Sequence, residues 1–313
     1  MAKLSGRPLL STSDDKALLV QRVAELDLII DAVGRGLNVL LHGERGSGLT
    51  TTLHQVMRRA MLDDLAHPRF SNAASVTGAE DLVHQIVGDV GPTVAVVGGT
   101  SAYSRFARYA DLPPGIVGIV DNAPVRVLRE LFGQHRDEVW AVPMSWVVAC
   151  PEQDRAAVLE PPVDSFFDVV VGLDPLTDVQ SASLLRRRTS KSELPPPALR
   201  AVVQAAGGNP RRLIRLARTL VLGEGDPTSL SRAAADRAEV ESRLSRPAQM
   251  LLAEIVARGP SSASDVRLQE ATGWTRSRLV QLFGELERQG AVDTSQSNDG
   301  NSGRPRKIYR AVF

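Results

Sequence analysis

The segment HGERGSGLTTT, His42–Thr52, constrains the fold more than any other stretch of the chain. It follows NVLLH, a short apolar run that reads as a buried strand, and precedes TTLHQVMRRAMLDDLA, whose helical spacing ends before His67 and Pro68. A strand, a glycine loop and a helix in that order point to a parallel α/β sheet rather than a bundle or a sandwich.

The residues of the loop suit one kind of chemistry. Gly43, Gly46 and Gly48 let the backbone turn with positive φ, so that successive N–H groups point inward as an anion nest. The helix starting near Leu49 adds the positive end of its dipole. The pattern approaches the phosphate-loop signature G-x-x-x-x-G-K-[ST], with Glu44, Arg45 and Ser47 among the variable places, but Leu49 stands where the lysine belongs. Thr50, followed by Thr51, offers a hydroxyl to Mg²⁺, and Asp121 at the end of the apolar strand GIVGIVDNAP offers a carboxylate to the same ion. These parts are main chain, hydroxyl and carboxylate, and none depends on Leu49.

A lysine there normally contributes a charge-assisted hydrogen bond of about 1.5–3 kcal/mol, or roughly ten- to a hundredfold in affinity. It also neutralises charge in the transition state. Its loss is expected to weaken binding and to damage hydrolysis more. Arg45 is a cation within the loop able to fold over the phosphates, and no lysine occurs between Lys16 and Lys191. Three alternatives stay open: an ordinary glycine turn, a scaffold without nucleotide, and a competent ATPase.

Further along, a short strand is expected near residues 69–74, a helix over 79–87, an apolar stretch at TVAVVGG and a helix from Val125 to about His135. Buried strands follow at MSWVVAC and FFDVVVGL. A single helix is expected from Leu18 to Val33. Residues 1–172 would thus hold a parallel sheet covered by helices on both faces. The stretch from LDPLTDVQSASLLRRRTS through NPRRLIRLARTLVL reads as helices without strands, and SLSRAAADRAEVESRL as a polar connecting helix; residues 173–243 would form this helical unit. Arg186 to Arg188 read as a solvated surface.

From Leu244 the chain predicts three helices, at PAQMLLAEIVAR, SASDVRLQEAT and WTRSRLVQLFGELERQG, and then two strands joined by a glycine- and serine-rich tip. That is the order of a winged helix-turn-helix, over residues 244–313. On the third helix Thr275, Arg276, Ser277, Arg278 and Gln281 supply donors suited to base edges and phosphates of double-stranded DNA. In the wing Arg304, Arg306, Lys307 and Arg310 have no acidic neighbour in sequence. This part carries ten basic side chains against seven acidic, whereas the whole chain balances 37 against 36, so any attraction for nucleic acid is local. A winged helix that docks protein instead of DNA fits the same pattern.

The single cysteine, Cys150, excludes an internal disulfide and a cysteine-based metal cluster, and the five histidines show no ligand spacing. Cys150, Trp140 and Trp146 read as core residues. No run reaches the roughly 18 apolar residues of a membrane span, so a cytoplasmic protein without a membrane partner is expected.

The ordered set of motifs resembles AAA+ and STAND-type P-loop ATPases, above all origin-recognition and archaeal replication-initiator proteins. Arg22, Glu25 and Leu26 match the short segment before their nucleotide strand, and GIVGIVDN resembles their Walker B strand. The helical stretch 173–243 resembles their lid, in which Pro210 and the sensor arginine, here Arg211, follow the G-N-P turn. The resemblance implies an α/β nucleotide-binding module, a helical lid and a C-terminal winged helix, with ATP or ADP and magnesium as cofactors. It also implies assembly with a second copy or a partner protein. Asn122 stands where hydrolytic members place a glutamate, and Cys150 where they place a polar sensor. With Leu49, these departures imply a weak or inactive ATPase acting as a nucleotide sensor or scaffold.

Overall fold

The computed structural model describes residues 4–10, 12–90, 115–297 and 306–312. The chain divides into two compact units, Met1–Thr189 with Gly208–Arg215, and Ser190–Gly207 with Leu216–Phe313.

The first unit departs from expectation at its start. In place of one helix from Leu18 to Val33, α1 (Ser13–Leu18) and α2 (Val23–Gly34) are separated by non-helical backbone at Leu19–Arg22. The break lets Arg22 turn inward. Its guanidinium, 6% exposed, donates to the carbonyls of Asp174 at 2.7 Å and Ser47 at 3.2 Å and to Glu25 at 3.0 Å. Three acceptors on three segments outweigh the one helical turn that is lost.

Five strands then build a parallel sheet: β1 (Val39–Gly43), β2 (His67–Asn72), β3 (Ile116–Asp121), β4 (Met144–Pro151) and β5 (Val169–Leu173), in the order β2-β3-β4-β1-β5. Successive residues of β1 serve opposite faces. Leu40 packs with Val120, Trp146 and Val148 in one core, while Val39 and Leu41 pack with Ile119 and Val147 in the other. The second core is closed by α2 and α3 (Leu49–Leu62), the first by α4 (Ala79–Val90) and the segment 125–139. Burial on both faces explains why β1, β3 and β4 read as unbroken apolar runs.

The helix expected from Val125 to His135 is instead an α-helix over Val125–Arg129, a π-helical turn over Glu130–Gln134 and a further α-helix over Arg136–Trp140. Trp146 is core, but Trp140 is 48% exposed, against expectation, with the Arg136 guanidinium 4.7 Å above its ring. The apolar stretch at residues 93–99 lies outside the described residues.

In the second unit the helices Pro196–Ala206 and Pro227–Arg243 pack together, and three helices follow at Arg246–Arg258, Val266–Thr272 and Arg276–Arg288. Strands β6 (Val292–Ser297) and β7 (Arg306–Ala311) pair antiparallel, and Ser261 bridges to Tyr309 of β7. Leu251, Leu252, Ile255, Leu268, Leu279, Leu282, Phe283 and Leu286 form one core with Tyr309, whose ring stacks on Phe283 at 4.0 Å. Among the described residues no helix is long and apolar enough to cross a membrane.

Candidate functional site

The C-terminal ends of β1, β3 and β4 open onto a cavity of about 390 Å³ in the first unit. This is the end of an open parallel sheet at which ligands bind, and β1 lies beside two strands that are not its chain neighbours. Gly46 (φ +92°) and Gly48 (φ +108°) adopt left-handed backbone that other residues reach only with strain. Gly48 is the N-cap of α3 and no side chain caps that helix, so its first amides face the cavity end without a side-chain acceptor.

Thr50 and Asp121 lie side by side at the cavity. The Thr50 hydroxyl donates to Asp121 Oδ2 at 2.7 Å. Asp121 is 3% exposed, and burial pushes its carboxyl above the usual aspartate range against the opposing pull of Thr50, the Asn122 amide and His54. A carboxylate whose charge is penalised by burial, with a hydroxyl beside it, fits magnesium, which needs only one or two protein oxygens. Among the described residues no three acidic, histidine or cysteine side chains gather into a metal cluster.

Leu49 lines the same cavity and leans on the α2–α3 core, so the aliphatic side chain is fixed by packing. Asn122 is exposed, with left-handed backbone (φ 58°), and its amide donates to Asp121 Oδ2 at 3.1 Å. Cys150 sits in the core, where burial pushes its thiol up to about 12. It is chemically inert there.

A second set of contacts holds the loop from outside. The Asn209 side chain accepts from the Arg211 and Arg212 amides, starting the helix Pro210–Val221. Its Nδ2 donates to the Arg45 carbonyl at 3.1 Å and to Glu44 at 3.0 Å, and Arg212 pairs with Glu44 at 3.6 Å. The Arg211 amide donates to the Gly46 carbonyl at 3.2 Å. A Cβ on Gly46 would come within 2.8 Å of Arg211 Cβ and Asn209 Oδ1, so the turn after Gly208 is seated directly on the loop. Gly46, Ser47, Gly48, Thr50, Thr51, Arg45, Pro210 and Arg211 all line the cavity; Gly43 and Glu44 do not, Glu44 acting through Asn209 and Arg212.

Sequence reasoning missed several residues here. Asn209 was legible only as part of a turn. Asp154, after β4, and Arg7, before α1, also line the cavity without any motif to mark them. Arg188 is 6% exposed and lines the cavity too, which corrects the reading of Arg186 to Arg188 as a solvated surface; Arg187 alone of the three is exposed.

In the second unit Arg276, Ser277, Arg278 and Gln281 lie exposed on the face of their helix opposite Leu279, Leu282 and Phe283. Thr275 is the N-cap and accepts from the Arg278 amide at 3.3 Å. Arg306, Lys307 and Arg310 are exposed on β7, and Arg304 lies outside the described residues. The expectation that Lys307 stands clear of acids fails: its ammonium lies 2.7 Å from both Glu287 oxygens, which raises its pKa. The partner sits twenty residues away on the preceding helix, where neighbourhood in sequence does not reveal it.

No protein-family model matches the chain, and no curated protein does. Solved structures do. The chain is similar to the ORC1 protein of Aeropyrum pernix in complex with DNA (22% identity, TM-score 0.51, 94% of this chain and 92% of that one). It is similar to the ORC2 protein of the same organism in ADPNP–ADP complexes (16%, TM-score 0.50, 93% and 90%). It is also similar to a Walker-type ATPase of Pyrococcus abyssi (14%, TM-score 0.53, 99% and 97%). At these identities the likeness speaks for architecture: the chain has the α/β fold of the origin-recognition AAA+ ATPases.

Proposed function

We propose that this chain is a DNA-binding protein whose first unit holds a nucleoside di- or triphosphate with magnesium in a degenerate phosphate loop, and that it acts as a nucleotide sensor or assembly scaffold. The observation that carries the reading is the contact of Thr50 with buried Asp121 beside a helix start that no side chain caps. Main-chain amides there provide the donors for phosphate oxygens, and Thr50 and Asp121 provide the oxygens for the metal. ATP or ADP is the nucleotide that the resemblance implies, and the ORC2 neighbour binds such ligands.

Hydrolysis is poor in this reading because two groups are missing. Leu49 cannot neutralise charge on the outer phosphate, and Asn122 cannot accept a proton from an attacking water. What remains is binding, reported through Arg211, which touches the loop directly, and through Pro210 before it, which lines the cavity.

The parts of the chain follow the same scheme: a nucleotide-binding module over 1–172, a lid and connecting helix over 173–243, and a winged helix over 244–313. Support for the last comes from three helices followed by an antiparallel pair, and from the arginines exposed on the third helix. Arg276 and Arg278 would meet base edges, and Arg304, Arg306 and Lys307 the phosphates. Self-association or a partner protein through the first unit, and a cytoplasmic location, belong to this reading.

The test is a pair of measurements on the full chain: ATP turnover by the wild type, and duplex binding with Arg276 and Arg278 replaced by alanine. Turnover near background with intact nucleotide binding, and loss of duplex affinity in the double variant, are expected. Rapid turnover by the wild type overturns the sensor reading, and unchanged duplex binding removes the helix as the contact.

A further inference from the structure

The helix Arg276–Arg288 carries a glycine, Gly284, in its interior. Glycine is among the least favourable residues there, because it gives up the most backbone freedom on folding, so its presence calls for a reason in the surroundings. The usual reasons are absent among the described residues. Gly284 does not adopt positive φ, and the helix runs on past it to Arg288. A Cβ built on Gly284 would meet no atom within 4 Å, so no packed neighbour of its own chain needs the space.

The side of the helix on which Gly284 lies supplies the reason. At helical spacing Ser277, Gln281, Gly284 and Arg288 fall opposite Leu279, Leu282, Phe283 and Leu286, which are buried in the core. Val280, one turn before Gly284, is 52% exposed and is the one apolar side chain of this helix that the core does not take. Arg276 and Arg278 stand at the start of the helix and Arg288 at its end, where its Nε donates to the Gly284 carbonyl at 3.1 Å. Both acids of the helix are occupied. Glu285 accepts from the Ser245 amide at 2.7 Å and from its hydroxyl at 2.9 Å, and Glu287 holds Lys307. Arginines at both ends and acids already engaged favour a polyanion over a protein surface as the partner of this side.

We propose that Gly284 marks the closest approach of this helix to the floor of the major groove, and that Val280 beside it packs on the methyl group of a thymine. The inference rests on the DNA-binding reading above and adds the manner of docking. The helix lies along the groove from Ser277 to Gly284 instead of entering by its first turn alone. A helix with its side chains is about 10–12 Å across and the groove about 12 Å wide, so each inward side chain limits how deep the axis can settle. A bare Cα at Gly284 removes that limit where the face is otherwise polar. The thymine methyl is the apolar group on the major-groove edge of the bases, and a β-branched side chain with few rotamers meets it at little entropic cost.

The test uses the full-length protein and the duplex that it selects from a random-sequence pool. Gly284→Ala and Gly284→Gln are expected to raise the thermal unfolding midpoint by a few degrees, since both residues favour a helix. Both are nevertheless expected to weaken binding of the selected duplex, by about tenfold or more for glutamine and by less for alanine. Uracil put in place of thymine, one position at a time, removes only a methyl group. At one position it is expected to cost the wild type about fourfold in affinity, and to cost Val280→Ser nothing. Folded Gly284 variants with undiminished affinity, Gly284 variants that fail to fold, or indifference of the wild type to uracil at every position overturn the proposal. So does a pool that is bound but yields no preferred sequence, and each of these results leaves DNA binding itself standing. A wild type that binds no duplex overturns both.

Discussion

Restoring the lysine is the most informative single change. In Leu49→Lys the new side chain starts at the first residue of α3, lines the cavity, and can lay its methylenes along the apolar surface that Leu49 now covers. Loss of the branched end should cost at most about 1 kcal/mol of stability, because the site is only partly buried. A cation at a helix N-terminus adds a further cost of roughly 0.3–1 kcal/mol, and Arg45 and Arg211 nearby add to it. A polyphosphate cancels that repulsion and gains a charge-assisted hydrogen bond of about 1.5–3 kcal/mol. The free variant should therefore be slightly less stable than the wild type, yet bind nucleoside diphosphate with magnesium roughly ten- to a hundredfold tighter. Thermal unfolding with and without nucleotide, together with calorimetry, reads both effects. A folded variant whose affinity for nucleotide is unchanged or reduced refutes the reasoning, since the position would then not face phosphate.

Other perturbations have distinct signatures. Asn209→Ala removes the cap of two amides and both donors to the loop, and should cost about 1–3 kcal/mol in denaturant unfolding while weakening nucleotide binding. Asp121 and Asp15 should depend on pH with opposite signs. Burial raises Asp121, so the native state holds its proton more tightly and stability falls as pH rises through and above the ordinary aspartate range near about pH 4. Asp121→Asn should thus unfold at a higher temperature than the wild type at neutral pH without magnesium, an advantage that shrinks in acid. Arg7 lowers Asp15, whose contribution is present at neutral pH and lost as pH falls through its folded value, so Asp15→Asn should destabilise at pH 7 and converge on the wild type in acid. On the duplex, Lys307→Ala should reduce the slope of log affinity against log salt by less than about one, because Glu287 already holds that charge. Glu287→Gln should correspondingly tighten duplex binding, and a full unit of slope lost in Lys307→Ala would contradict the role given to this pair.

What could be read from the residues was the chemistry that follows chain order. NVLLH, the glycine loop, α3 and the strand ending in Asp121 announced themselves because strand burial, positive-φ glycines and helical spacing are local properties. Arg22 was legible as part of a motif, but not the break it imposes between α1 and α2, since apolar periodicity continues across Leu19–Arg22 while the backbone does not. Arg188 shows the opposite failure. Three successive arginines resemble a solvated surface, and only the third is turned inward to the Leu18 carbonyl, a partner 170 residues away. The pairing of Lys307 with Glu287 was hidden for the same reason: β7 returns past a helix that ended well before it. Trp140 looked like core by residue type, yet the π-helical turn at Glu130–Gln134 changes the helix register before it and leaves the ring half exposed.

The account stands on main-chain amides at the start of α3 gripping a polyphosphate in the absence of lysine. Hydrogen–deuterium exchange over residues 44–52, with and without saturating magnesium nucleotide, observes those amides themselves. Slowed exchange at Gly46–Thr50, abolished in a Gly46→Val variant whose side chain would collide with Arg211 and Asn209, is the predicted result. Exchange at these amides that stays the same at millimolar nucleotide would contradict it.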